Sequence, residues 1–306
     1  MAEPSSYTYK ITSQQAAELR EILARQQFEF REVPYAEYGA KKGKLNVNAY
    51  TSGKLLVQGK GAKEFIEFTL EPEILGEAKL GYEEVHHPEM FEPHLGIDES
   101  GKGDFFGPLV IAGAYVDRDL ARALLDLGVR DSKAIKSDQK AEDLADAIEE
   151  LLPPGRFNVV AIGPAKYNQL YAKFRNLNRL LAWGHATVIE NLLASVPDCP
   201  RALSDQFGNP RLIQSALKER GRGITLQQRT KAESDVAVAA ASVLARARFV
   251  RQLRELGEGL NTVLPKGASA QVKQAARELI STQGEPALAG VAKRHFKTYA
   301  EVVGES

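Results

Sequence analysis

The sequence predicts an α/β fold, and three of its features lead to that prediction. From residue 95 onward, apolar segments of strand length alternate with amphipathic segments of helix length, as in a sheet covered by helices. The 306 residues are 43% hydrophobic, enough to fill a substantial core. An aperiodic stretch with two prolines separates this region from a smaller unit. We therefore expect a domain at 1–80, a linker at 81–93 and a larger domain at 94–306.

The composition excludes several classes of protein. The formal net charge is zero, so any contact with nucleic acid must use local basic patches. Cys199 is the only cysteine, which excludes an intrachain disulfide and a thiolate zinc cluster and favours a reducing cytosol. We find no signal peptide or membrane helix, so we expect a cytoplasmic protein without membrane contact or an evident obligate protein partner. The five histidines lack metal-ligand spacing and are interpreted as surface or packing residues.

The amino-terminal unit is predicted to contain two helices and three short strands. Ser13 precedes apolar residues at helical spacing, which indicates an N-capped helix. Apolar segments bounded by turn residues indicate the strands. The predicted elements are helix 14–26, strands 28–33, 45–49 and 55–58, and helix 62–70.

Six lysines between residues 41 and 63 have no acidic residue among them and are interleaved with Asn46, Asn48 and Tyr50. A sheet face of this composition could contact phosphates. It could equally be an exposed sheet that lysine keeps soluble and free of strand pairing. The residues alone do not choose between these interpretations.

The larger domain is predicted to begin with a strand at 95–99 and a second at 109–116, joined by a Gly-rich turn. Ser137 is expected to cap a helix that ends at two prolines. Small residues between 237 and 245 would let an Ala-rich helix pack closely on the sheet. The other predicted elements are helix 119–127, helix 137–152, strand 157–162, helical segment 164–196, strand 201–207, helix 208–221, strand 224–229, helix 234–256 and helices 269–282 and 285–303.

The turn after the first strand carries the residues that indicate chemistry. Asp98 and Glu99 precede Gly101, Lys102 and Gly103. Carboxylate oxygens suit Mg²⁺ and Mn²⁺, and a glycine-spaced cationic turn allows close approach of a phosphate ester. Neighbouring strand residues point to opposite faces, so the two carboxylates share a site only where the strand ends, twists or bulges.

Two further carboxylates could complete such a site, because a pair of divalent ions needs about four acidic ligands. Asp205 lies in an otherwise apolar strand, where a carboxylate is costly unless it is paired or bound to metal. Glu233 opens the Ala-rich helix, although Ser234 or Asp235 could cap it equally well. A strand-end aspartate and a helix cap remain the alternatives. Asp104 and Asp131 are interpreted as residues that brace loops.

Five stretches, in this order along the chain, resemble the ribonuclease HIII subfamily of the type 2 ribonucleases H: DESGKGDFFGPLVIAGAYV, GVRDSKAI, NLNRLLAWGHATVIENLL, LSDQFG and RTKAESDVAVAAASVLARARFV. The resemblance covers about residues 95 to 300, and the amino-terminal unit is similar to the TATA-box-binding-protein-like domain of that subfamily. It implies a ribonuclease H-like mixed five-stranded sheet flanked by helices. It also implies endonucleolytic cleavage of the RNA strand of RNA/DNA hybrids, leaving 5′-phosphate and 3′-hydroxyl ends.

The resemblance also implies roles for particular residues. The catalytic and metal-binding carboxylates would be Asp98, Glu99, Asp205 and Glu233, with two Mg²⁺ or Mn²⁺ ions during catalysis. Backbone groups of Gly101, Lys102 and Gly103 would read the ribose 2′-hydroxyl. Ser132 and Lys133 would help to hold a neighbouring phosphate. Glutamate at the fourth acidic position, with Gly-Lys-Gly in the loop, favours the HIII over the HII subfamily.

Two rival functions remain. A non-catalytic hybrid-binding protein would bind its substrate without cutting it when Mg²⁺ is supplied. An HII-like enzyme would instead cut at single ribonucleotides embedded in DNA.

Overall fold

A computed structural model of the chain describes residues 6–76, 83–129, 135 and 137–304. Backbone packing divides the chain into two compact units. Unit 1 comprises residues 1–89 with 126–128, and unit 2 comprises residues 90–125 and 129–306. The division at residue 89 falls inside the predicted linker, and the limits of the domains stay a prediction.

Unit 1 contains a five-stranded antiparallel sheet with helical segments packed on one face. Its elements are β1 (Ser6–Lys10), α1 (Ser13–Arg25), β2 (Glu29–Arg31), β3 (Ala36–Lys42), β4 (Leu45–Tyr50), β5 (Lys54–Gln58), α2 (Ala62–Phe65), a π-helix (Ile66–Leu75) and α3 (Glu83–His86). The strands lie in the order β1-β5-β4-β3-β2. Val47, Leu55 and Val57 of the inner strands are fully buried in one core with Leu19 and Leu23 of α1. The opposite face of the sheet carries the polar residues.

The first helix is capped by Thr12, and the predicted cap at Ser13 is wrong. Thr12 has an extended backbone, and its hydroxyl accepts a hydrogen bond from the Gln15 N–H at 3.1 Å. The Gln15 side chain accepts in return from the Thr12 N–H at 3.0 Å. This reciprocal pair is a capping box, and Ser13 already lies inside the helix.

The predicted strands of unit 1 do not include β1 or β3. Exposure alternates along β1, where Tyr7 and Tyr9 face the core and Thr8 faces outward. Gly39 and two alanines occupy β3, and such residues have weak strand preference. Pairing with neighbouring strands forms both elements. The predicted helix 62–70 is also corrected, since α2 is short and continues as the π-helix.

Unit 2 contains a mixed five-stranded sheet, which confirms the predicted fold class. Its elements are β6 (His94–Ser100), β7 (Leu109–Val116), α4 (Arg118–Asp126), α5 (Asp138–Leu151), β8 (Phe157–Ile162), α6 (Pro164–Phe174), α7 (Leu177–Leu193), β9 (Arg201–Asp205), α8 (Arg211–Ala216), β10 (Thr225–Arg229), α9 (Val236–Glu258), α10 (Ala270–Gln283), α11 (Glu285–Val291) and α12 (Lys297–Val303). The strand order is β10-β9-β6-β7-β8. Strands β6, β9 and β10 are parallel, while β7 is antiparallel to both of its neighbours.

Helices α9 and α7 pack on opposite faces of this sheet. A methyl group on Gly96 of β6 would lie 2.2 Å from the backbone of Ala237 and Val238 in α9. A methyl group on Gly113 of β7 would lie 2.6 Å from the side chain of Val188 in α7. Glycine therefore permits the close approach of each helix to the central strands.

Several predicted helices have different limits in the structure, and the predicted helix 208–221 is reduced to α8. The segment 164–196 is two helices, because Arg175 adopts a left-handed conformation and Asn176 caps α7. The segment 285–303 is likewise divided into α11 and α12. The Ala-rich helix begins at Val236, two residues later than expected, because Asp235 caps it. Within the described ranges, no helix is long and apolar enough to cross a membrane.

Replacing Gly96 with alanine is expected to destabilise unit 2 by about 2 to 3 kcal/mol, because the new methyl group overlaps backbone atoms of α9. Urea denaturation followed by fluorescence of Trp183, the only tryptophan, measures the effect in this unit. Gly290→Ala is the control, since it is an exposed position inside α11 with open space around it, and it should be neutral or stabilising by at most about 1 kcal/mol. Equal unfolding midpoints for the two variants would contradict the steric argument.

Candidate active site

Asp98 and Glu99 lie at the carboxyl end of β6, and their side chains point to opposite faces of the sheet. Asp98 accepts a hydrogen bond from Ser242 of α9. Glu99 Oε2 accepts from His185 Nε2 of α7 at 3.0 Å. The pairing of β6 with β7 continues without a bulge from His94 to Ser100. The pairing of β6 with β9 stops at Ile97, so the end of that pairing, and not a bulge, leaves both carboxylates at one open edge.

Asp205 reaches the same edge of the sheet through strand register. Ile97 of β6 pairs with Ser204 of the parallel strand β9. The next residue on each strand is Asp98 and Asp205, so both carboxylates follow at the carboxyl ends of adjacent parallel strands. Because ligand sites form beyond these ends in open α/β sheets, the register places Asp205 where a site is expected.

Glu233 lies in a short 3₁₀ turn that precedes α9, and it does not open the helix as expected. The N–H of Ala232 donates to Asp205 Oδ1 at 3.4 Å, which holds the turn beside β9. Lys231 before it adopts a left-handed backbone conformation, which is uncommon outside glycine and fixes the direction of the turn. The side chain of Glu233 is consequently not needed to cap the helix.

Asp235 performs the capping and joins α9 to the start of β6. Its Oδ1 accepts from the N–H groups of Ala237 at 2.9 Å and Val238 at 3.3 Å, and from His94 Nε2 at 3.0 Å. Both the His94 and Asp235 side chains are fully buried. Burial opposes ionisation of Asp235, but His94 and the two N–H groups outweigh it and lower the pKa of Asp235. The buried, hydrogen-bonded pair of His94 and Asp235 thus supports the turn that carries Glu233.

All four predicted carboxylates line one cleft of about 290 Å³. Ser242 and Arg246 of α9 complete its wall. Among the described residues, no three acidic, histidine or cysteine side chains already stand close enough together to hold a metal ion. The structure therefore brings the four acidic groups to a shared cleft without closing them into a finished coordination shell.

The two adjacent carboxyl groups differ in their readiness to ionise. Burial, together with the neighbouring charge of Glu99, raises the pKa of Asp98 to about 6. Burial also acts on Glu99, but the hydrogen bond and charge of His185, together with Lys102, hold the pKa of Glu99 below its usual value. The negative charge of Asp98 is thus less well stabilised by its surroundings than that of Glu99.

The donor atoms of this cleft suit a hard divalent cation. Carboxylate oxygens are the ligands that Mg²⁺ and Mn²⁺ prefer in proteins, whereas no sulfur donor lines the cleft among the described residues. A positive ion would offset the unfavourable burial of Asp98. The chemistry of the Asp98, Glu99, Asp205 and Glu233 oxygens suits Mg²⁺ or Mn²⁺, although their present spacing does not form a coordination shell.

The glycine-rich loop lies directly beyond the two carboxylates. Gly101 has a left-handed backbone, and a methyl group there would lie 2.2 Å from the carbonyl oxygen of Pro108. Nothing lies within 4 Å of the corresponding position at Gly103, so protein packing does not require glycine there. Lys102 Nζ lies 3.4 Å from Glu99 Oε1 and 5.5 Å from the centre of the Phe207 ring. The loop therefore presents a cation and an unobstructed backbone beside the cleft.

Two of the predicted binding residues, Ser132 and Lys133, lie outside the described residues, as does Asp131. Asp104, which we interpreted as a loop brace, accepts from the Gly267 N–H at 2.6 Å. It does not line the cleft formed by the four carboxylates.

His185 and His94 are more than the packing residues that the sequence indicated. His185 is fully buried, donates to Glu99 and lies 4.8 Å from the ring of Phe207. Its Nδ1 has no hydrogen-bond partner in the part of the chain that the structure describes. A buried polar side chain needs a hydrogen-bond partner, so a histidine within an apolar helical segment could have indicated a role for His185 beyond packing. The identity of the partner required the fold.

Comparisons with protein-family models find two matches along the chain. A model described as Ribonuclease HII matches residues 95–299. A second model, described as a domain of unknown function (DUF3378), matches residues 7–76.

Similar proteins share nearly the whole length of the chain. Ribonuclease HIII of Protochlamydia amoebophila (strain UWE25) is 44% identical over 290 residues, covering 95% of this chain and 94% of the relative. Ribonuclease HIII of Chlamydia pneumoniae is 42% identical over 301 residues, covering 98% of each. The crystal structure of Bst-RNase HIII in complex with Mn²⁺ has a TM-score of 0.66 and 29% identity, and the match covers 98% of each chain.

Replacing His185 with phenylalanine is expected to weaken Mn²⁺ binding by about 10- to 100-fold, because Glu99 loses the donor that orients it. Phenylalanine keeps the ring that packs against Phe207. Titration calorimetry with Mn²⁺ alone measures the affinity. The control is His87→Phe, the same change at an exposed position, which should leave the affinity as in the unsubstituted protein. An unaltered Mn²⁺ affinity in His185→Phe would show that Glu99 needs no such partner.

Proposed function

This chain belongs to the ribonuclease HII family, and on that premise we propose that it is an endoribonuclease that cuts the RNA strand of RNA/DNA hybrids by metal-ion catalysis. Its relatives of nearly equal length are named ribonuclease HIII. The observation that carries the proposal is the shared cleft, in which four carboxylates from distant segments meet beside a glycine-rich loop. The products would carry 5′-phosphate and 3′-hydroxyl ends.

Asp98, Glu99, Asp205 and Glu233 are the proposed catalytic and metal-binding residues. The solved Bst-RNase HIII contains Mn²⁺, which supports Mn²⁺ or Mg²⁺ as the cofactor of this chain. Two bound ions would activate the attacking water and stabilise the departing 3′ oxygen. His185 and the Ala232 N–H hold two of the carboxylates in place.

The loop residues Gly101, Lys102 and Gly103 are the proposed readers of the ribose. The open space at Gly103 supports this role, because a nucleic-acid backbone can approach there without displacing protein atoms. The 2′-hydroxyl distinguishes RNA from DNA and can bond to backbone N–H and C=O groups. Ser132 and Lys133 would contact a neighbouring phosphate, a role that the sequence resemblance supports.

The polar face of the sheet in unit 1 is the proposed surface for the hybrid backbone. Ala40 and Leu55 are buried against the helices, so Lys41 and Lys54, their neighbours in sequence, point to the opposite face. Asn46 pairs with both Lys41 and Gln58, which extends the polar face across three strands. Lysine and amide groups on one face provide phosphate contacts without sequence preference.

The proposed location of the activity is the cytoplasm. The single cysteine, Cys199, is buried and free, so the fold does not depend on a disulfide or on an oxidising compartment.

A second candidate function has one observation in its favour. The family model described as Ribonuclease HII covers unit 2, which favours cleavage at single ribonucleotides embedded in DNA. A substrate with one ribonucleotide, compared with one containing four or more, separates the two functions.

The proposed function predicts selective cutting of a labelled RNA/DNA hybrid in the presence of Mg²⁺. Denaturing gels should show no cleavage of all-DNA or all-RNA duplexes, and none of the hybrid with chelator. Asp98→Asn and Asp205→Asn should bind the hybrid normally but lose at least about 100-fold in cleavage rate, since each removes a negative ligand from the metal site. Hybrid binding without cleavage by the unsubstituted protein would instead support the non-catalytic alternative.

The proposed phosphate-binding face predicts that lysines on this face contribute to hybrid affinity, whereas Lys42, which points to the other face, does not. Lys41→Gln with Lys54→Gln should lower hybrid affinity and reduce the slope of log K against log salt by about two, since each lysine bound to a phosphate contributes about one to that slope. Lys42→Gln is the control, because the Lys42 ammonium faces the helices and donates to the Gln26 carbonyl at 2.8 Å. Fluorescence anisotropy over a salt series measures both quantities. Equal slopes for the two variants would contradict the proposed face.

A further inference from the structure

The loop between β6 and β7, residues 101–108, is fastened to the carboxyl-terminal part of the chain. We call these residues the substrate loop. Phe106 forms an isolated β-bridge with Ala292, and the Gly107 N–H donates to the Val291 carbonyl at 2.9 Å. The Lys293 N–H donates to the Phe105 carbonyl at the same distance. Residues 291–293 therefore act as a short strand that supports the loop.

The side chain of Lys293 adds a second connection to the same loop. It is fully buried, and its Nζ donates to the carbonyl oxygens of Asp104 at 2.8 Å and Phe106 at 3.4 Å. The ammonium lies 5.6 Å from the centre of the Tyr167 ring. In the described part of the chain, no carboxylate oxygen forms an ion pair with it. Its polar partners are thus the backbone of the substrate loop.

Burying the Lys293 side chain costs free energy, so we ask what lysine provides at this position that an apolar residue would not. Burial lowers the pKa of Lys293 to about 7, while the charge of Asp104 acts in the opposite direction. The neighbouring His295 has its own pKa lowered to about 4 by burial and by Lys293. A methionine would fill similar space without any charge to bury. What lysine supplies, and methionine does not, is hydrogen bonds to two loop carbonyls.

The other attachment of the loop lies at Gly267. The Phe105 N–H donates to the Gly267 carbonyl at 2.9 Å, and Asp104 Oδ1 accepts from the Gly267 N–H at 2.6 Å. Residues 104–107 are therefore held from two directions. Gly103, immediately before them, has open space around it. The attached residues 104–107 therefore fix the position of residues 101–103.

We propose that Lys293 is a positioning residue that holds the substrate loop in the conformation that reads the ribose, and so contributes to the choice of hybrid over DNA. The inference rests on the proposed function of Gly101, Lys102 and Gly103. Lys293 does not touch the substrate itself. Because backbone recognition depends on the path of the chain, a small displacement of residues 104–106 changes the contacts made at 101–103.

The test compares hybrid and DNA duplexes of one sequence with the full-length protein. Lys293→Met removes both hydrogen bonds to the loop and keeps an unbranched side chain. Lys297→Met, the same change at an exposed position of α12, is the control. Binding is measured by anisotropy in chelator, where no strand is cut, and KM and kcat on the hybrid are measured with Mg²⁺.

We expect Lys293→Met to weaken hybrid binding and raise KM by roughly tenfold, with kcat changed by less than about threefold. Affinity for the DNA duplex should stay within about twofold, because DNA lacks the group that the loop reads. Lys297→Met should match the unsubstituted protein. Equal losses on both duplexes, or no loss on the hybrid, would overturn the proposal.

If Lys293→Met fails to fold, Lys293→Gln is measured in its place, because the shorter side chain withdraws the donor from the two loop carbonyls and keeps a polar end. The expected result is again a selective loss on the hybrid, and a variant that keeps full hybrid affinity would overturn the proposal. An unsubstituted protein that binds both duplexes equally would overturn this inference, whereas one that fails to cut the hybrid with Mg²⁺ would refute the proposed function itself.

Discussion

The concentration of negative charge at one end of the central strand is the constraint on which the rest of the structure depends. Four carboxylates share one cleft, where each would repel the others if it were fully ionised. The protein offsets part of this charge: His185 donates to Glu99, and a backbone N–H donates to Asp205. The compensation is incomplete, since the pKa of Asp98 rises to about 6. A divalent cation bound in the cleft would supply the missing positive charge and so would stabilise the buried carboxylates.

Close contact between β6 and α9 makes the cleft possible. The absence of a side chain at Gly96 lets the backbone of α9 approach the strand that carries Asp98 and Glu99. The buried pair of His94 and Asp235 then fixes the start of the helix. The turn before the helix carries Glu233, and this geometry frees its side chain from capping. Backbone packing and a buried hydrogen-bonded pair thus position acidic groups that are far apart in sequence.

The sequence allowed most of unit 2 to be predicted, but less of unit 1. Alternating apolar segments marked the strands of the mixed sheet, because burial on both faces demands apolar residues. Strand β3 carries glycine and two alanines, which have weak strand preference, and it forms because neighbouring strands offer pairing partners. Strand β1 alternates tyrosine with polar residues, a strand pattern that the prediction missed. The observed starts of two helices differ from the predicted ones, because Thr12 and Asp235 are the capping residues. Caps depend on the backbone conformation of one residue, which periodicity does not report.

By itself the sequence determined which groups could perform the chemistry: two adjacent carboxylates, two distant ones and a glycine-spaced lysine. The adjacent pair and the loop follow from the ligand preferences of hard cations and from the conformational freedom of glycine. The resemblance to the ribonuclease HIII subfamily implied the full set of four, because the residues alone left Glu233, Ser234 and Asp235 open. Only the tertiary structure decided that Glu99 pairs with His185, that Asp235 is the helix cap, and that Lys293 holds a loop 189 residues away along the chain. Those contacts join segments whose distance in space depends on strand order and helix packing, and no local pattern encodes them.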